Sequence, residues 1–176
     1  MLSCASTGEG RVMLLSTANR VWIVYAAILS LTLLWLLAIV AAPWLMRRGD
    51  ALTATVLYRG FALVCHQRSE RSFHWYGWPL AVCARCSGIY AGALLGLLLY
   101  PGWRNLTAPV LPARRYLMLA VAPLLLDWML GALGVIDSHA VIRMATGLLA
   151  GGVATFYLLP VVLALGRGRE PFTQSN

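Results

Sequence analysis

The sequence predicts an all-α, polytopic helical membrane bundle. Four transmembrane helices are expected at about 21–46, 82–100, 116–136 and 139–165, with one short interfacial or re-entrant helix at 51–66. Three observations predict this. Of 176 residues, 60% are hydrophobic and only 11% charged, with mean hydropathy +0.75, whereas a soluble domain is nearer half apolar and a quarter charged. The apolar residues fall in long runs bounded by arginine, proline or glycine. Four of those runs reach the about 20 residues that a helix needs to cross ~30 Å of hydrocarbon. This balance excludes a soluble enzyme, a disordered chain and a secreted disulfide module, for which four cysteines are too few.

Taken in order, residues 1–20 read as a polar tail, with Met13 as an alternative start and no apolar run ahead of Cys4 to make a lipoprotein signal. The run 21–46 is uncharged and ends at Arg47 and Arg48, which makes it the first span. The stretch 51–66 is helical in pattern but too short to cross unaided, and Arg59 sits inside it. Residues 67–80, QRSERSFHWYGWPL, combine Arg, Trp and Tyr with a Gly-Trp-Pro break and belong at headgroup level. The second span, 82–100, carries Ala84, Gly88, Gly92 and Gly96 at four-residue intervals, a small-residue stripe that lets another helix come close. Pro101 and Gly102 are expected to end it. The third span, 116–136, contains Pro123 and Asp127. Asp137 and Ser138 then serve as turn and N-cap residues for the fourth span, 139–165, which contains Arg143 and a Gly147–Gly151 pair. Together 21–166 form a single membrane domain, and 167–176 is a second polar tail.

All 14 basic residues are arginine and 6 residues are acidic, for a net charge of +8. The arginines flank apolar runs rather than forming one basic face, so the expected partner is a lipid bilayer and not a nucleic acid. Arg104, Arg114, Arg115, Arg167 and Arg169 place the C-terminus in the cytoplasm and the cysteine-rich 65–86 region outward, in a bacterial inner membrane. The sequence leaves the oligomeric state open.

Cys65-His66 and Cys83-Ala84-Arg85-Cys86 bracket the aromatic loop. A Cys-x2-Cys pair brings two sulfurs to one ion, and a distant Cys and His close a tetrahedron; three sulfurs and an imidazole suit zinc. The fourth ligand is His66 or His74, the latter with easier reach because adjacent ligands strain the backbone. The same atoms fit a second chemistry. Cys83 at a helix N-terminus beside Arg85 favours thiolate, so Cys83 and Cys86 also read as a dithiol/disulfide couple with Cys65 as exchange partner. The bland alternative is three small buried residues. Covalent haem attachment is disfavoured, because Ser87 follows Cys86 where a histidine is needed.

Ionisable groups within spans face a polar cavity or a partner. Arg85, Arg143 and Asp127 are therefore candidate catalytic residues, with an Asp127–Arg143 pair locking two helices as the structural alternative. Arg68 and Arg71 join them as candidate anion-binding residues, since guanidinium suits phosphate and carboxylate.

The runs CHQRSERSF and CARCSGIYAG resemble the prokaryotic membrane proteins known as domain of unknown function 2085. The resemblance rests on Cys65, His66, Gln67, Arg71, Ser72, Phe73, Cys83, Arg85, Cys86, Ser87, Gly88, Tyr90, Asp127, Arg143, Thr146 and Gly147, and spans most of 55–155. It favours His66 over His74 as fourth ligand, because the motif contains that histidine. The chain departs from it in the third span, where Trp128 and Gly131 stand in place of the family's Gly and Gln. The resemblance implies no activity. The leading expectation is a zinc-binding membrane protein, with a metal-dependent enzyme on a lipid-borne or anionic substrate as its catalytic form. A membrane thiol–disulfide oxidoreductase and a non-catalytic scaffold or transporter subunit are the alternatives.

Overall fold

A computed structural model describes residues 7–106, 111–135 and 138–165, with side chains from residue 19 onward. The expectations for Cys4, Asp137, the end of the third span at residue 136 and the 167–176 tail lie outside the described residues. The chain forms α1 (Thr7–Arg48), α2 (Ala51–Ala62), a 3-10 turn (Ser69–Arg71), strands β1 (His74–Trp75) and β2 (Trp78–Pro79), α3 (Ala84–Trp103), α4 (Arg114–Ala132) and α5 (Ala140–Leu165). Among the described residues four helical segments are long and apolar enough to span: Asn19–Arg48, Ala84–Trp103, Arg114–Ala132 and Ala140–Leu165. The molecule is an all-α membrane bundle.

Several boundaries differ from the sequence reading, each for a local reason. The tail expected over 1–20 is helical from Thr7, because Met13, Leu14, Leu15 and Ala18 favour helix and no proline intervenes before Pro43. Helix α3 does not stop at Pro101 but runs on to Trp103. Proline removes one helical donor, the one that would serve the Leu97 carbonyl, and Tyr25 of α1 supplies it instead: its hydroxyl donates to Leu97 O at 2.8 Å. Ser138 does not cap α5. Its hydroxyl accepts from Arg143 Nε at 3.0 Å, and the helix begins at Ala140.

Two glycine stripes fix the centre of the bundle. Helices α3 and α5 run parallel and meet backbone to backbone. A Cβ at Gly88 would collide with the Met144 carbonyl, one at Gly92 with the Leu148 carbonyl, and one at Gly96 would lie 2.7 Å from Gly152 O. In return, a Cβ at Gly147 or Gly151 would strike the carbonyls of Arg85 and Ile89. Such approach maximises dispersion between helices whose lipid alternative is equally apolar. Thr155 adds a hydrogen bond across the pair, from its Oγ1 to Ala93 O of α3 at 3.4 Å. Helix α4 packs on α5 with Ala120 buried, while Met118, Leu119, Leu125 and Leu126 remain exposed for lipid. Val21, Tyr25, Leu97, Tyr100, Leu106, Leu159 and Leu163 close the end of the bundle remote from the cysteines.

Helix α2 is re-entrant. Asp50 caps it by accepting from Thr53 N at 3.2 Å, and the helix then folds back along α1 until Phe61 meets Trp35 edge-on, ring centroids 5.0 Å apart. Trp35 lies thirteen residues before Arg48, or about 20 Å along a helix at 1.5 Å per residue. With 12 residues α2 cannot cross, and the chain leaves it at Leu63 instead. It returns to the surface as a hairpin, Trp75 paired with Trp78. Tyr76 and Gly77 at φ 54° and 85° form the turn, the signature of a tight two-residue hairpin loop. Arg47 stacks on the Tyr76 ring, 3.8 Å from its centroid, which pins the hairpin over the end of α1.

Candidate metal centre

The re-entrant turn delivers Cys65 to the start of α3. Cys65, Cys83 and Cys86 present their sulfurs within 4.8 Å of one another. Tetrahedral zinc with ~2.3 Å bonds holds sulfurs about 3.8 Å apart, so a small closure suffices. Cys65 is buried and the other two are half-buried, and all three thiols are free. The backbone N–H of Cys83 donates to Cys65 Sγ at 3.2 Å, and Cys83 N-caps α3. Its thiol is held below the usual thiol range, first by a hydrogen bond with the Cys86 thiol and then by the backbone N–H of Cys86, with burial opposing. The cation expected to do this, Arg85, has its guanidinium turned to Asp127.

Gln67 holds the two cysteine segments in register. Its Nε2 donates to Tyr58 O at 2.7 Å and to Ala81 O at 2.6 Å, tying the last turns of α2 to the residues just before Cys83. Its own backbone sits at φ 47°, in the left-handed region. Tyr58 reinforces the tie by donating its hydroxyl to Pro79 O at 2.6 Å, and burial raises its pKa above the ordinary phenol value. Nothing in composition or periodicity marks Gln67 or Tyr58. Only the Cys-His-Gln run does so, for Gln67.

A cavity of about 450 Å³ opens beside the thiols. Cys65, Cys83 and Cys86 form one wall; Arg68, Arg71, Arg85 and Arg143 supply four guanidiniums; Val64, Trp128, Gly131 and Ala132 make an apolar side. The candidate cysteines and all four candidate arginines therefore converge. Trp128 and Gly131, the two departures in the third span, are both on the wall. His66 is exposed and lines the cavity next to Cys65, whereas His74 is exposed on β1. Among the described residues the metal-ligating group consists of the three cysteines.

Asp127 pairs with Arg85, bridging α4 to α3, where the sequence offered Arg143 as its partner. Arg143 is buried and donates to Ser138. Asp127 lies five residues before the end of α4 at Ala132, closer to the cysteine end than the third span's expected boundary implied. Arg85 Nε is buried without a hydrogen-bond partner among the described residues.

The model of a family described as predicted membrane protein, domain of unknown function 2085, matches residues 65–157, which contain the three cysteines, the four cavity arginines and α3 to most of α5. The chain belongs to this family. An uncharacterized protein of Methanocaldococcus jannaschii is 35% identical over 142 residues, 78% of this chain and 91% of the relative. An uncharacterized protein of Methanothermobacter thermautotrophicus is 38% identical over 94 residues, 52% of this chain and 80% of the relative. No solved structure matches.

Proposed function

We propose that this member of the family binds one zinc ion through Cys65, Cys83 and Cys86, with His66 completing the coordination from the cavity wall. The observation that carries the reading is the convergence of three sulfurs, from two chain segments, within 4.8 Å at the edge of an arginine-lined cavity. Three thiolates and an imidazole are a zinc set. Beside the metal, Arg68, Arg71, Arg85 and Arg143 receive an anionic substrate, and Asp127 orients Arg85. If His66 yields its place, the metal has an open position for a substrate oxygen or a water, as metal-dependent hydrolases require. The arginines of the opposite end and the C-terminal arginines set the orientation: cytoplasmic C-terminus, cysteine end outward.

The test is metal analysis of detergent-purified protein with X-ray absorption at the zinc edge. The expected result is about one zinc per chain, bound by three sulfurs and one nitrogen. A protein produced in zinc-replete medium that carries no metal overturns the reading.

The mutual proximity of the three thiols favours one second reading, a thiol–disulfide exchange centre. Two thiols would close to a disulfide and release two electrons and two protons, which a quinone takes up to become quinol. Thiol trapping in intact cells distinguishes it: a Cys83–Cys86 disulfide that forms and disappears with the redox state of the medium, in metal-free protein.

A further inference from the structure

We infer that Cys65, Cys83 and Cys86 form a trigonal site for a thiophilic monovalent cation, Cu(I), in which His66 takes no part. The inference rests on the reading above in taking the three thiols as a metal centre, and it adds a second ion with its own coordination geometry.

The sulfur spacing admits both ions, so the fourth donor decides between them. A metal–sulfur bond of ~2.3 Å sets sulfurs about 3.8 Å apart in a tetrahedron and about 4.0 Å apart in a plane. Three sulfurs within 4.8 Å of one another reach either arrangement by a small closure. Zinc then requires a fourth ligand. Among the described histidines, cysteines and acidic residues, the three sulfurs make a group by themselves. His66 is exposed on the cavity wall and has to swing in, while Asp127 is held by Arg85. Cu(I) is a closed-shell ion that three thiolates satisfy, and soft sulfur selects it. The group is complete for copper as it stands and lacks one donor for zinc.

The surroundings favour the lower charge. Cys65 is buried in one cluster with Ile39, Ala42, Phe61, Ala81 and Val82, and Cys83 and Cys86 pack against it. None of these five apolar residues lines the cavity, so the thiols have an apolar side and a cavity side. The cost of taking an ion out of water rises with the square of its charge, which favours a monovalent over a divalent ion against such a wall.

The thiols are also prearranged. The Cys83 N–H already donates to Cys65 Sγ at 3.2 Å. Gln67 ties α2 to the residues before Cys83 through Tyr58 O and Ala81 O, so binding has little chain left to order. Copper enters as Cu(I) and no electron moves. Each thiol that binds it gives its proton to solvent through the cavity.

The experiment uses the full chain in detergent, reduced, metal-free and without oxygen. It carries Cys4→Ser, which leaves these three as the only thiols. Titration with Cu(I) against bicinchoninate is expected to give about one copper per chain, and absorption at the copper edge a shell of three sulfurs without nitrogen or oxygen. His66→Ala should leave Cu(I) affinity within twofold. Cys65→Ser, Cys83→Ser and Cys86→Ser should each weaken it tenfold or more and reduce the shell to two sulfurs. Equimolar Cu(I) added to zinc-loaded protein should release the zinc, read with a chromophoric chelator. A nitrogen in the shell, two sulfurs in the chain that keeps all three thiols, or a tenfold loss in His66→Ala overturns the trigonal site. A protein that binds zinc and takes up no Cu(I) overturns this inference alone. Uptake of Cu(I) on three sulfurs by a protein that binds no zinc leaves it standing and overturns the zinc reading.

Discussion

The hydroxyl of Tyr25 reaches the carbonyl of Leu97 at 2.8 Å, and that carbonyl is the one Pro101 leaves without its helical donor. One side chain on α1 thereby repairs the hydrogen-bond ladder of α3 and locks the two helices at the end of the bundle remote from the cysteines. Both Tyr25 and Leu97 are buried there. In lipid a backbone carbonyl has no water to turn to.

Tyr25→Phe should therefore destabilise the protein by about 1–3 kcal/mol, the penalty of an unsatisfied buried acceptor. In a Pro101→Ala background the helix regains its own donor, and the same change should cost less than half as much. Unfolding in detergent of the four proteins measures the coupling. Equal losses in both backgrounds would mean that the tyrosine acts only through packing.

A pair of glycine substitutions separates close approach from mere flexibility. Gly92→Ala puts a Cβ against the Leu148 carbonyl, whereas Gly60 of α2 has nothing within 4 Å. Gly60→Ala should stabilise by roughly 0.5–1 kcal/mol through helix propensity. Gly92→Ala should destabilise by about 1–3 kcal/mol, as overpacking does. A stabilising Gly92→Ala would show that α3 and α5 do not touch there.

The Arg85–Asp127 pair, with side chains 20% and 8% exposed, is expected to behave as a buried pair. Arg85→Gln or Asp127→Asn alone should cost about 3–5 kcal/mol by stranding a charge. The double variant, neutral on both sides, should recover most of it. A double variant as unstable as the sum of the singles would deny that the two groups are partners.

The spans were legible because length and apolarity are local properties, and the α3 stripe because glycine at every fourth position has one use in lipid. The three cysteines were legible by spacing. What composition cannot carry is which groups meet. The sequence suggested Arg143 as the partner of Asp127, and the fold brings Arg85 to it, because the α3–α5 register seats Gly147 on the Arg85 backbone; Arg143 donates to Ser138. The depth of α2 was open for the same reason: its 12 residues fit an interfacial or a re-entrant helix until Phe61 finds Trp35.

The fourth metal ligand divides the two histidines. His66 lines the cavity next to Cys65, and His74 faces outward from the hairpin. His66→Ala should lower zinc affinity by tenfold or more, and His74→Ala should leave it within twofold, read by competition with a chromophoric chelator. The reverse order would require the hairpin to fold down over the thiols on binding.

Gln67 sets the last expectation. Its amide donates to carbonyls on both sides of the thiol group, at 2.7 Å to Tyr58 and 2.6 Å to Ala81, so it controls how Cys65 faces Cys83 without being a ligand. Groups that orient ligands typically contribute 10–100-fold in metal affinity. Gln67→Ala should accordingly weaken zinc binding by that factor while the stoichiometry at saturating zinc stays at one. Gln67→Gly relieves the left-handed backbone at φ 47°, a conformation that costs a side chain about 1 kcal/mol or more, but it also lacks the amide. The glycine variant should be the more stable of the two and yet bind zinc no better than alanine. If glycine restores affinity, the backbone of residue 67 rather than its amide aligns the thiols; if neither variant alters affinity, the two cysteine segments are held in place by their own packing.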